Sequence, residues 1–136
     1  MNNWIKSFVI GFAILLVVSC APKQGVPKGF DETRVHETLD QIVQLLSARD
    51  YDEVVKLFAP IMSNSIDAEG LSQSLNPRFD TLGAFDKIES KTIISEKLKD
   101  VGDVAVAIVT CKYANKKATY TITLDKNYQI CGLYVK

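Results

Sequence analysis

The chain has 136 residues, 16 Lys+Arg against 16 Asp+Glu, one histidine and three cysteines. That length is one domain's worth. The balanced, interspersed charge excludes the clustered basic surface that nucleic-acid binding requires, and it offers no polybasic block for a membrane surface.

The first twenty residues are the most distinctive. A short start with a single basic residue, Lys6, leads into an uncharged apolar run from Ser7 to Val18, which stops at Ser19-Cys20. The run is shorter than the roughly 20 apolar residues that span a bilayer core as a helix, and it has the flanks of a signal-peptide hydrophobic region. Val17-Val18-Ser19-Cys20 resembles the lipobox of bacterial lipoproteins. The resemblance implies cleavage after residue 19, lipid attachment at Cys20 and an address in the cell envelope facing outside the cytoplasm. What is left is 117 residues with 15 basic and 16 acidic side chains, a net charge of −1.

Residues 20–30 read as the lipidated cysteine and a linker, because APKQGVPKG has two prolines, two glycines and no apolar period. Residues 31–136 form the expected single domain. Val35, Leu39, Ile42 and Leu46 make one apolar stripe and predict a helix over Asp31–Asp50, with acid in its first turn. Asp50 caps a second predicted helix, Tyr51 to Met62, which Pro60 limits or kinks. A third starts near Asp67 through Leu71 and Leu75, is interrupted at Asn76-Pro77, and resumes its apolar pattern at Phe79 and Leu82 before Gly83.

After Gly83 the period falls from 3.6 to 2. Ile88–Glu96 reads as an edge strand, Val104–Tyr113 as a central one, and Ala118–Leu124 and Ile130–Val135 as the last two. Three helices followed by a four-stranded antiparallel meander make an α+β domain with helices covering one sheet face. A two-residue turn at Asn115-Lys116 sets Cys111 opposite Tyr120, and the next turn sets Tyr120 opposite Tyr134 and Ile122 opposite Gly132. Cys131 then shares the other face with Leu133 and Val135. The two cysteines would lie two strands apart, about 10 Å, beyond the roughly 7 Å reach of a disulfide.

Asp50–Phe58, Leu82-Gly83-Ala84-Phe85, Tyr120–Asp125 and Ile130-Cys131-Gly132-Leu133-Tyr134 resemble the family called domain of unknown function 3887. The family is similar to the nuclear transport factor 2-like superfamily, which implies a cone of helices packed into a curved sheet, often around a pocket. In some related proteins such a domain precedes a hydrolase, whereas this sequence ends at Lys136.

Little chemistry is legible. His36 sits beside the first helix's apolar stripe without a nucleophile or a ligand set, so no metal site or cofactor is expected. The cone interior would be lined by Tyr120, Tyr134, Cys111 and Phe58, with the two tyrosines its only polar tips apart from the Cys111 thiol, able to orient a small apolar ligand. The expectation is a tethered domain that binds a ligand or an envelope protein. The alternative is a small isomerase- or dehydratase-like enzyme using the interior. A homodimer through the outer sheet face, at Thr119, Thr121, Thr123, Leu133 and Val135, is the third option.

Overall fold

The computed structural model describes residues 23–136. The predicted leader at 1–19 and the lipid-bearing Cys20 lie outside the described residues. The elements in chain order are β1 (Lys23–Gln24), α1 (Glu32–Ser47), α2 (Tyr51–Val55), α3 (Pro60–Ser63), α4 (Ala68–Leu82), β2 (Phe85–Leu98), β3 (Gly102–Tyr113), β4 (Lys117–Leu124) and β5 (Ile130–Val135). The strands form an open antiparallel sheet in the order β1-β2-β3-β4-β5, and the fold is α+β.

Each longer helix starts where an aspartate satisfies an otherwise orphaned N–H. Asp31 accepts from the Arg34 N–H and Asp67 from the Gly70 N–H, and Asp50 does the same for α2 through Glu53. α1 buries Val35, Leu39, Ile42, Val43 and Leu46, and α4 buries Leu71, Leu75, Phe79 and Leu82. These stripes cover the inner face of the sheet. That face is built from Ala105, Ala107, Val109, Cys111 and Tyr113 on β3, Ala118, Tyr120, Ile122 and Leu124 on β4, and Ile130 and Val135 on β5. Fully burying one large aliphatic or aromatic side chain stabilises the fold by about 1.5–3 kcal/mol, so this layer contact is the main source of cohesion.

The structure departs from expectation in five places. The sheet has a fifth strand, β1, inside the stretch read as a linker. The second helix is two short helices, giving four among the described residues, because Ala59 is extended (φ −67°, ψ 157°) and Pro60 opens α3 instead of closing α2. The break has a purpose: Ile130 N–H donates to Leu57 O and Ala59 N–H to Ile130 O, both at 2.8 Å, so the interhelical segment covers the start of the β5 edge. Conversely, α4 runs through Pro77, whose ring points to solvent while Leu75 and Phe79 hold the helix to the core.

The remaining two departures are in register. At the β3–β4 turn Cys111 faces Ala118 and Val109 faces Tyr120, a shift of two residues that keeps every side chain on its expected face. At β4–β5 the pairing starts as expected, Leu124 with Ile130, then a bulge intervenes. Thr123 pairs with Gly132, Ile122 with Leu133, Thr121 with Tyr134 and Tyr120 with Val135. One extra residue reverses the facing of everything after it. Leu133 and Val135 therefore turn inward and Tyr134 turns out.

Candidate functional site

The fold fills its interior with its own side chains. Tyr120 and Cys111 are 0% exposed and Phe58 4%. The Tyr120 hydroxyl is hydrogen-bonded to that of Tyr113, which is bonded in turn to Ser47 Oγ at 2.8 Å. This chain carries the polar tips from the middle of the sheet to the C-terminal end of α1, where Ser47 is partly exposed. Burial raises the pKa of both phenols, Tyr120 the more strongly, with its bond to Tyr113 adding to the effect. Phenols raised in this way stay protonated at neutral pH and serve as hydrogen-bonding groups within the core.

Tyr134, expected beside Tyr120, lies on the opposite face and is 61% exposed. Cys111 stays inside, its thiol pushed up to about 11 by burial and secondarily by Glu89. Cys131 falls on the β5 bulge, half-buried, and donates to Thr123 O at 3.6 Å. Burial raises its pKa as well, with Asp125 contributing. Both cysteines are free thiols. His36 is half-buried on α1 and lies 4.0 Å from Glu32. No grouping of three or more metal-ligating side chains occurs among the described residues, and no described helix is long and apolar enough to cross a membrane.

Two surface regions remain. The first is the outer face of the sheet, where cross-strand pairing aligns Thr92, Ile108, Thr121 and Tyr134 in one row. Ile108, 39% exposed, and Tyr134 are two of the three large exposed hydrophobic residues among the described residues. Thr119 and Thr123 flank this row as expected, but Leu133 and Val135 do not contribute. The bulge that brings Tyr134 here leaves no mark in the hydrophobic pattern, which is why the sequence did not disclose the row.

The second region is the end of the molecule bearing the β2–β3 and β4–β5 turns. A cleft of about 460 Å³ there is lined by Lys28, Phe30, Lys97, Val101, Asp103 and Lys126, among others. An adjoining cleft of about 210 Å³ reaches Ile61, Asp125 and Cys131.

The family model described as Protein of unknown function (DUF3887) matches residues 40–133. No curated protein matches the chain. Among solved structures, the NMR structure of a protein from Ruminococcus gnavus ATCC 29149 is similar, with a TM-score of 0.69 and 18% identity over 84% of this chain and 98% of that one. At that identity the likeness speaks to the fold alone. A match from the middle of α1 to near the end of β5 takes in most of both layers, and on that ground the chain belongs to the DUF3887 family.

Proposed function

We propose that this protein is a membrane-anchored lipoprotein of the cell envelope, facing outside the cytoplasm, whose folded part is a binding or interaction domain and not an enzyme. Val17-Val18-Ser19-Cys20 supports the anchor. A diacylglyceryl group on Cys20 supplies the two chains that durable membrane attachment needs, where one acyl chain holds only marginally. In this reading the helices and curved sheet form a nuclear transport factor 2-like cone whose interior is closed.

The observation that carries the binding-domain reading is the state of that interior. Tyr120 and Cys111 have no exposure, and the Tyr120 hydroxyl is satisfied by Tyr113. An isomerase or dehydratase would need an acid or base within reach of substrate at about 3 Å, and the groups that meet these hydroxyls are another phenol and Ser47. Recognition then falls to the surface. The Ile108–Thr121–Tyr134 row is the face offered to an envelope protein or to a second copy.

The filled interior is tested with small apolar probes. Benzene and xenon enter dry apolar cavities of about 150 Å³. Added to the folded chain, they should leave the amide resonances of Cys111, Tyr120 and Ile122 unmoved. Saturable shifts confined to those amides would overturn the closed interior and restore the pocket.

A further inference from the structure

The segment read as a free linker is fastened to the domain. Gly25 N–H donates to Ile93 O at 2.8 Å, and Ser95 Oγ donates to Gly25 O at 2.7 Å. Pro27 is buried. The Phe30 ring meets Tyr128 edge-on at 5.8 Å, and Asp31 N–H donates to the Tyr128 hydroxyl at 2.9 Å. Gln24 lies opposite Ile94 and Lys23 opposite Ser95, so the chain traced back from Gln24 heads toward Leu98, the β2–β3 turn end of the sheet. Cys20 is three residues before Lys23. Three residues reach at most about 11 Å.

We propose that the domain sits flush on the membrane in one orientation, with this end pressed against the lipid headgroups. The inference rests on the lipid anchor proposed above, and three features of the end support it. The first is the short reach from Cys20, which leaves no room for the domain to stand away. The second is charge: Lys28, Lys97 and Lys126, far apart in sequence, line one cleft with Asp103 as its only acid, and Lys99 lies in the adjacent turn.

Among the described residues no carboxylate pairs with those four lysines, which leaves their ammonium groups available to phosphate. Glu96, Asp100, Asp103 and Asp125 lie at the same end and offset the charge of these lysines, so what the end offers lipid is ammonium groups for individual phosphates and not a field of net positive charge. The third feature is Ile61, 56% exposed, beside Asp100, Val101 and Asn127 in the neighbouring cleft. An exposed apolar side chain with Lys126 in the same cleft suits a headgroup region, where the aliphatic parts sink and the ammonium group reaches phosphate.

The test uses the acylated protein in vesicles of phosphatidylcholine and phosphatidylglycerol. The chain's single tryptophan is Trp4, in the leader, so a mature chain offers a dark background. Asn127→Trp reports from the proposed contact end, and Ala48→Trp reports from the end near Tyr113. Brominated lipid should quench the first several-fold more than the second.

Gly25→Pro removes the N–H that holds β1 and forbids the observed φ of 96°, so it should abolish the difference. Equal quenching of the two reporters, on protein whose Cys20 carries acyl groups, would overturn the orientation while leaving the anchor intact. Protein that carries no acyl mass and does not sediment with vesicles would overturn the anchor and this inference with it. Replacing Lys28, Lys97, Lys99 and Lys126 by Gln should reduce the quenching at Asn127→Trp, and an unchanged value would overturn the lipid contact.

Discussion

Among the described residues Tyr120 is the largest side chain with no exposure; its hydroxyl bonds to Tyr113 and feels Ser47 more weakly, whereas Tyr113 bonds closely to both Tyr120 and Ser47. The two phenols are therefore unequal. Tyr120→Phe removes one partner of a hydroxyl that keeps another, so its cost should be near that of an ordinary buried hydrogen bond, about 1 kcal/mol. Tyr113→Phe leaves the Tyr120 hydroxyl in the core with only its weaker approach to Ser47 and should cost more, about 1–3 kcal/mol for a poorly satisfied buried group. Urea unfolding of the two variants checks the order, and equal or reversed losses would contradict the chain of hydrogen bonds. That Tyr120 faces inward follows directly from alternation along Ala118–Leu124. Its partnership with Tyr113 could have been found from parity, since Tyr113 is two residues from inward-facing Cys111 on the same strand.

Among the elements, α4 ends at Gly83 with φ 80° and ψ −161°, and a Cβ there would come within 3.0 Å of Asn115 Nδ2 and 3.1 Å of the Ala114 Cβ. Both strain and contact oppose any side chain, so Gly83→Ala should destabilise the fold by about 1–3 kcal/mol. A loss within experimental error in thermal unfolding would show that the α4–β2 corner is looser than this geometry. The helices were legible because their apolar stripes are regular: Val35 to Leu46 and Leu71 to Leu82 are buried as spaced.

What was not legible is where two rules compete. Pro60 sits near the end of an apolar run, and only the pairing of Leu57 and Ala59 with Ile130 decides that it opens a helix. Pro77 would break an isolated helix, but tertiary contacts at Leu75 and Phe79 outweigh the one lost backbone bond. β1 was hidden because two paired residues cannot show a period, and its partner β2 extends to both sides of the Ile88–Glu96 segment that alternation marks out. The β5 bulge flipped Tyr134, Leu133 and Val135 together, an all-or-none error that hydrophobicity could not flag because both faces there carry apolar residues.

For the molecule as a whole, the closed interior, the exposed sheet row and the lysine-lined end assign different faces to different tasks. The inner face holds the fold; in the proposed reading the outer face is offered to a partner and the end nearest Cys20 meets lipid. The envelope role and the lipid contact presuppose the anchor at Cys20. The most direct test is intact mass spectrometry of the protein purified from membranes of a bacterium that processes lipoproteins, alongside Cys20→Ala. The account predicts a chain that begins at Cys20 and bears a diacylglyceryl thioether, with Cys20→Ala unprocessed and unacylated. A chain that begins at Met1, or at any other residue without acyl mass, would contradict it.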